Sequence, residues 1–293
     1  MKLTHTAERA GRLSSFLREE MQMSAGLMNR LKWKDLILVN GKPEHTDYAV
    51  QPEDVITACL EEPEPQYEAE EGDLTVLYED DHFLAVEKPA GMLIHPSHCQ
   101  NSGTLANLVV GYYRKKGLAC AFHPITRLDR DTFGIVLLAK NSHAHALMTA
   151  LQERGAIRKT YQALVFGGPE RDAGVIDAPI ARKPLPSLLR EVRPDGKPSV
   201  TEYTVLERLE NRSLLALRPV TGRTHQLRLH CAYKGFPILG DPQYGSDASR
   251  AFSERLGLSH QLLCAKRLEF THPITGKVMV LESNCSAKTP FSG

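Results

Sequence analysis

Residues 61–73 read Glu-Glu-Pro-Glu-Pro-Gln-Tyr-Glu-Ala-Glu-Glu-Gly-Asp: two prolines, seven carboxylates and no basic residue. Like charges repel one another, and proline lacks an amide donor, so such a stretch reads as an extended linker. It divides the 293-residue chain into a short piece, 1–60, and a long one, 74–293. Those lengths suit a small module and one full-sized domain with its own core. The linker should also keep clear of nucleic acid, because its carboxylates repel phosphate.

Charge sorts along the same division. The net charge of +1 conceals a balanced residues 1–60, with eight Lys/Arg and eight Asp/Glu. Residues 61–81 carry ten acids and no base, which leaves 82–293 with 28 basic against 17 acidic residues, a net of +11. A basic long piece suits a phosphate-bearing partner, although +11 over so many residues also fits an ordinary mixed surface. Hydrophobic content of 42% is ordinary for a soluble globular protein. No apolar run is long enough to span a membrane, and the first residues lack an apolar signal core, so the expected compartment is the cytoplasm. Cys59, Cys99, Cys120, Cys231, Cys264 and Cys285 are scattered, with no Cys-x-x-Cys pair. Reduced thiols are expected, without a zinc site or disulfide framework.

In the short piece, Ser14–Met23 and Ser24–Lys32 read as helices, each opened by a serine cap. Leu36–Lys42 reads as a strand entering a tight Asn40-Gly41 turn, and Val50–Thr57 as a returning strand. Arg30, Lys32 and Lys34 gather around Trp33. Such a group can track and stack on RNA; equally, it describes a solvated helix end with Trp33 anchored in the core.

In the long piece, strands are expected at 74–78, 83–87, 134–139, 160–166, 199–206, 213–219 and 278–281. Helices are expected at 104–115, 143–154, 224–233 and 251–257. Several strands alternate polar and apolar residues, as in an antiparallel sheet with one wetted face. The expected class is α+β: a mixed, largely antiparallel sheet with flanking helices, plus the small α-β module. There is no internal repeat and no glycine-rich nucleotide loop; Gly167-Gly168 before Pro169 reads as a turn.

The chemistry concentrates at Arg127-Leu128-Asp129-Arg130, just before the apolar run Ile135–Ala139. Flanking positive charge favours an ionised carboxylate. A carboxylate at the mouth of a strand can act as nucleophile or base, and arginines beside it can hold phosphates. Alone, the same cluster also describes a solvated loop. No metal site is expected: His225 and His230 are five apart, His143 and His145 two apart, and no His-Glu-x-x-His occurs.

The sequence around this cluster resembles the RluA-type pseudouridine synthases. Their central motif, approximately His-Arg-Leu-Asp-x-x-Thr-Ser-Gly, reads Thr126-Arg-Leu-Asp-Arg-Asp-Thr-Phe-Gly134 here. Three further blocks follow the family's order: Glu87–Pro96, Arg158–Val165, and Gly222-Arg-Thr-His-Gln-Leu-Arg-Leu-His230 with Pro237–Asp241 after it. The resemblance spans about residues 73–290. Thr126 stands in place of His and Phe133 in place of Ser, which puts site shape or substrate choice in question more than chemistry.

The resemblance implies that Asp129 is the essential carboxylate of uridine-to-pseudouridine isomerisation. The base–sugar bond breaks, the uracil rotates, and it rejoins the ribose through carbon five. Nothing is transferred to or from the RNA, so no redox cofactor, metal or ATP is implied. Covalent attack on the sugar and abstraction of a ribose proton to give a glycal both remain open. Arg228 would pair with Asp129 and aim it. Tyr161 would stack against the uracil, and Arg127 would fill the gap left by the flipped nucleotide. Arg130 and Arg223 would be RNA contacts, as would Lys88 beside a structural turn. The short piece partly resembles an S-four-type RNA-binding module, through Arg12-Leu13, Leu17, Ser24, Val39-Asn40-Gly41 and Asp54-x-Ile56, but lacks the usual Ser-Arg start of the second helix. That would make Arg30, Lys32 and Lys34 RNA-binding residues. The implied partner is structured RNA, ribosomal in preference to transfer RNA, bound by a monomer. Two other classes compete: a catalytically silent RNA-binding or ribosome-assembly factor, and a metal- or nucleotide-dependent enzyme. The joint presence of Asp129, Tyr161 and Arg228 weighs against the first. The missing phosphate loop and ligand cluster weigh against the second.

Overall fold

The computed structural model describes residues 2–61, 65–97, 100–184, 186–187 and 189–288. Its first part comprises β1 (Lys2–Thr6), β2 (Gly11–Arg12), α1 (Leu13–Glu19), α2 (Ala25–Lys32), β3 (Ile37–Val39), β4 (Lys42–Pro43), β5 (Ala49–Val50) and β6 (Val55–Cys59). A four-stranded sheet runs β1-β6-β3-β4, and β2 pairs with β5. Leu13, Phe16 and Leu17 of α1 and Leu27, Met28 and Leu31 of α2 bury against Ile37, Val39 and Ile56. Asn40 and Gly41 both take positive φ, 49° and 78°, as a two-residue hairpin turn requires. Ser24 accepts a hydrogen bond from the Leu27 amide (3.2 Å) and caps α2 as expected. Ser14 caps nothing: α1 already begins at Leu13, and the Ser14 amide donates to the Thr46 carbonyl. Trp33 is 84% exposed, which removes the reading of it as a core anchor.

The second part comprises β7 (Thr75–Glu79), β8 (Phe83–Lys88), α3 (Leu105–Lys115), β9 (His123–Pro124), β10 (Phe133–Ala139), α4 (Ser142–Glu153), β11 (Arg158–Phe166), β12 (Ala173–Asp177), β13 (Ile180–Arg182), β14 (Arg190–Val192), β15 (Val200–Leu209), β16 (Arg212–Pro219), α5 (Gln226–Tyr233), α6 (Asp247–Arg255), β17 (Leu263–Thr271) and β18 (Val278–Glu282). One large sheet runs β12-β15-β16-β11-β17-β10-β8-β7, with β18 on β17 and β9 on β10. Every pairing is antiparallel except β10 with β17. The fold is therefore a mixed α+β arrangement around a largely antiparallel sheet.

That one parallel contact sets up the site. It spans only Phe133↔Cys264 and Gly134↔Ala265, and from Arg267 onward β18 takes β10's place beside β17. Gly134 has φ +107°, and a Cβ there would stand 2.4 Å from the Ala265 carbonyl oxygen. Only glycine permits this backbone approach. Strand β17 was not expected, because Lys266, Arg267 and Glu269 look like a polar loop in sequence. In the sheet they are partnered: Arg267 pairs with Glu269 and with Glu282 across the ladder, and the Lys266 ammonium reaches the Ser283 and Cys285 carbonyls.

The acidic segment departs from a free linker. Residues 65–73 form no helix or strand but lie as a strap on α3. Tyr67 and Ala69 pack on the core beneath it. Asn107 donates to the Glu68 carbonyl (3.0 Å), the Glu70 amide to the Asn107 carbonyl (3.1 Å), and the Gly103 amide to the Glu70 carboxylate (2.8 Å). Gly111, in the middle of α3, makes room: a Cβ there would fall 2.0 Å from the Glu70 carbonyl oxygen. Among the described residues, no helix is long and apolar enough to cross a membrane.

Candidate active site

The loop between β9 and β10 is fixed at alternate residues. Thr126 accepts from the Leu137 amide through Oγ1 (2.9 Å). Leu128 packs against the core between β8 and α3. The Arg130 carbonyl accepts from the Lys88 ammonium (2.7 Å), and Thr132 Oγ1 from Gln261 (2.7 Å). The residues between them, Arg127, Asp129 and Asp131, are left outside the core. Asp129 keeps 31% of its side chain exposed.

Thr126, which departs from the family motif, thus has a defined place, tied to the backbone of β10. The other departure, Phe133, sets its ring edge-on to His260 with centroids 5.9 Å apart. Phe133 and His260 line a cavity of about 470 Å³ that opens beside Asp131, Pro89 and Gly91.

Arg228 comes to Asp129 from α5. Its Nη1 donates to Asp129 Oδ2 (3.1 Å). Its other donors are committed elsewhere: Nε to Asp241 Oδ2 (2.7 Å), and Nη2 to Asp241 Oδ1 (2.9 Å) and Gln243 Oε1 (2.8 Å). The stronger, bidentate partner is therefore Asp241, whose carboxylate is buried and also accepts from the Gln243 and Tyr244 amides. A two-point pairing of this kind fixes the plane of the guanidinium. It aims the remaining nitrogen at Asp129. Burial opposes the Arg228 charge, but Asp241 and then Asp129 outweigh it and raise the guanidinium above its ordinary value.

Two features at the start of α5 hold this geometry. Gln226 is buried and ties the loop together, accepting from Thr221 and the Arg223 amide and donating to Val200 and Thr201. His225 takes φ +58°, a left-handed conformation uncommon for its residue type, so α5 begins at Gln226 and not at Thr224. Its Nδ1 lies 2.8 Å from Tyr244 Oη and its Nε2 lies 3.9 Å from Asp129 Oδ2. Burial lowers the His225 pKa, with Asp129 acting in the opposite sense. His230, by contrast, is a buried anchor between Thr201 and the Ala178 carbonyl.

Tyr161 stands on β11 at a bulge where the register with β17 shifts, a local device that re-aims a side chain. Burial, then the negative charge of Asp129, push its phenol pKa well above the usual range. Lys159, two residues earlier, is lowered by burial and by Arg127, which places two cations close together beside the loop.

The surface residues divide. Arg127 and Arg223 are exposed. Arg130 is exposed too, with its guanidinium on Asp131 (3.1 Å). Arg30 is exposed and Lys32 half-exposed beside Trp33, while Lys34 pairs with Glu61 (2.6 Å). Lys88 corrects the sequence reading. It is 0% exposed, and its ammonium donates to the carbonyls of Pro89 (2.8 Å), Met92 (2.9 Å) and Arg130 (2.7 Å). A cation enclosed in this way is a brace for the Asp129 loop and cannot reach a phosphate. Burial brings its pKa down to about 8, against the pull of Asp131 and Asp129.

Reading the sequence alone did not find Asp241, Tyr244 or His225 as parts of the site. His225 and Asp241 lay within the Gly222–His230 and Pro237–Asp241 blocks and Tyr244 just beyond them, but which groups meet depends on the turn at His225.

The sequence profile of the RNA pseudouridylate synthase family matches residues 82–233. An uncharacterised RNA pseudouridine synthase of Bacillus subtilis is 35% identical over 265 residues, 89% of this chain and 90% of that one. The ribosomal large subunit pseudouridine synthase C of Vibrio vulnificus is 32% identical over 284 residues, 93% and 88% of the two chains. Among solved structures, human RNA pseudouridylate synthase domain containing 1 superposes with a TM-score of 0.61 at 25% identity, covering 73% of this chain and 84% of its own.

Proposed function

The chain belongs to the RNA pseudouridine synthase family, and from that premise we propose that it isomerises specific uridines of large-subunit ribosomal RNA, with Asp129 as the reacting carboxylate. The observation that carries this is the Asp129–Arg228–Asp241 arrangement. Asp129 Oδ2 is held by a guanidinium that a buried carboxylate fixes, while Oδ1 takes no hydrogen bond among the described residues. A positioned oxygen with free lone pairs suits either attack on the ribose or removal of a ribose proton. The ribosomal assignment is supported by relatives named large-subunit synthases C and D, the latter from Nitrosomonas europaea at 37% identity over 231 residues.

The other roles follow from position. Tyr161, protonated and near Asp129, offers a ring face to the uracil and a hydroxyl donor to the displaced base. Arg127 and Lys159 carry positive charge beside the loop, where a phosphate backbone would run. Arg127 would enter the RNA stack when the uridine leaves it. Residues 1–60, with Arg30, Lys32, Lys34 and the exposed Trp33, would add affinity through cations and one stacking surface.

The test is direct. Purified protein is incubated, without added cofactor, with unmodified large-subunit RNA carrying tritium at carbon five of uridine. Tritium release is expected, and mapping pseudouridines in cellular RNA with and without the protein then identifies the site. Binding without release would leave a silent RNA-binding protein.

A further inference from the structure

Asp129 has a second neighbour besides Arg228, and the hydrogen bonds around it decide which atom faces the carboxylate. The Arg190 backbone amide donates to Tyr244 Oη (2.9 Å), and that oxygen lies 2.8 Å from His225 Nδ1. Among the described residues the Tyr244 hydroxyl has no other acceptor for its own proton, so it donates to Nδ1. An imidazole that accepts at Nδ1 carries its proton on Nε2. Burial favours this neutral ring by lowering the His225 pKa, against the pull of Asp129. The Nε2–H group then stands 3.9 Å from Asp129 Oδ2, too far for a hydrogen bond. Neither side chain is sealed off: His225 keeps 18% of its side chain exposed and Asp129 31%. A donor and an acceptor therefore face each other across a gap that substrate can enter.

One hydroxyl oxygen, about 2.8 Å from each group, fits such a gap, accepting from Nε2 and donating to Oδ2. An ether or carbonyl oxygen has no proton to donate, and a phosphate oxygen would be repelled by Asp129. In the reaction proposed above, Asp129 meets the target ribose at its first carbon if it attacks, or at its second if it removes a proton. The hydroxyl closest to both carbons is the 2′-hydroxyl. We propose that His225 and Asp129 hold the 2′-hydroxyl of the target uridine between them, with His225 as its donor, so that His225 is the residue that tells ribose from deoxyribose at the reacting nucleotide. Arg228 keeps its hold on Oδ2, and Oδ1 is left for the chemical step. The inference rests on the reading that this site takes uridine within RNA.

The probe is a synthetic stem-loop RNA whose loop holds one uridine, tritiated at carbon five, made with ribose or with 2′-deoxyribose at that position alone. Binding and single-turnover tritium release are read for the full chain and for His225→Asn and Tyr244→Phe. Asparagine tolerates the left-handed backbone at φ +58°, but its shorter side chain stops short of the gap. Tyr244→Phe removes the proton donor to Nδ1 and keeps the ring that lies 5.1 Å from the Arg228 guanidinium. The wild type should prefer the ribose form by about tenfold, the size of one or two hydrogen bonds. In His225→Asn this preference should shrink to about threefold or less, mainly through weaker handling of the ribose form. Tyr244→Phe should shift it in the same direction by a smaller factor. A merely structural role for His225 would slow both RNAs equally and leave the preference intact, which would overturn the proposal. Nitrogen NMR of histidine-labelled wild type, without RNA and at neutral pH, supplies a check that needs no folded variant beyond the one that assigns the signal. It should find His225 protonated at Nε2 and bare at Nδ1; a proton on Nδ1 would overturn the proposal. A His225-dependent preference in binding, without tritium release, would overturn the reaction and keep the site. Normal release with the same preference in wild type and His225→Asn would do the reverse.

Discussion

Asp129 and Asp80 are both aspartates in short loops that lead into strands of the same sheet, and they are used in opposite ways. Asp80 accepts from Tyr78 Oη (2.5 Å), the His82 and Phe83 amides (both 2.7 Å) and His272 Nε2 (3.0 Å). His272 Nδ1 meanwhile accepts from the Ile274 and Thr275 amides, which fixes the proton on Nε2. Its neighbour Glu79 takes Tyr112, Lys116 and Lys140. Among the described residues, the Asp129 carboxylate takes one hydrogen bond, from Arg228. A carboxylate with its lone pairs filled joins a turn to a strand; one left mostly open can engage a substrate. Burial works against the charge of both Asp80 and Glu79, but the hydrogen bonds outweigh it and lower both, Glu79 to about 2. The difference teaches that charge alone does not mark a reactive group. What marks it is an aimed carboxylate whose remaining valence the protein declines to fill.

The sharpest way to break the comparison is to remove each charge. Asp129→Asn should stop tritium release, by roughly 10⁴-fold if it behaves like other reacting groups, with RNA affinity little changed. Asp80→Asn should leave turnover per folded molecule near normal and lower stability by about 1–3 kcal/mol, seen in denaturant titrations. If the two variants exchanged these behaviours, the assignment of roles would be wrong.

Next in size is the guanidinium between the carboxylates. Arg228→Ala leaves Asp241 buried without its cation, a loss of roughly 3–5 kcal/mol. Melting and single-turnover rate should both fall. Arg228→Lys should retain more stability than activity, because one ammonium cannot serve Asp241 as a fork and still reach Asp129.

Acid separates the regions in a third way. Glu79 has a folded pKa of about 2 against an ordinary 4.5. Its contribution to stability is complete above about pH 4.5 and is lost as the pH falls toward 2. Unfolding titrations across that window should show a decline that is flattened in Glu79→Gln. A variant as acid-sensitive as the wild type would show that other carboxylates dominate.

The smallest effect concerns Arg127. Under saturating RNA, Arg127→Ala should slow reaction several-fold more on a stacked stem-loop target than on an unstacked one, since extrusion then costs less. Equal slowing on both would point to support of the Asp129 loop instead.

Much of this was legible in the sequence, and what was not has physical causes. The carboxylate, its arginine and the tyrosine lay in ordered motifs, and most strands of the sheet announced themselves by alternation. Strand β8 did not show where its last side chain goes. Residues Phe83–Val86 are buried and Glu87 is half-buried, so nothing in the pattern marked Lys88, beside a turn, as an enclosed side chain. The charges of β17 concealed a central strand because their partners, Glu282 and the Ser283 and Cys285 carbonyls, follow more than ten residues later. The Asp241 fork could not be read from spacing, since it needs the left-handed turn at His225.

The strap over α3 bears on where this chain can be divided. By charge and proline content a cut anywhere in 61–73 looks equivalent, yet Tyr67 and Ala69 belong to the core of the second part, and the Glu70 backbone fills the notch at Gly111. A protein beginning at Pro65 should therefore fold more stably than one beginning at Asp73, by the burial of one tyrosine face and three hydrogen bonds. Any exchange of residues 1–60 for another module should be spliced before Gln66. The interchangeable joint of this enzyme is shorter than its acidic stretch, and the rest of that stretch travels with the catalytic half as its first structural element.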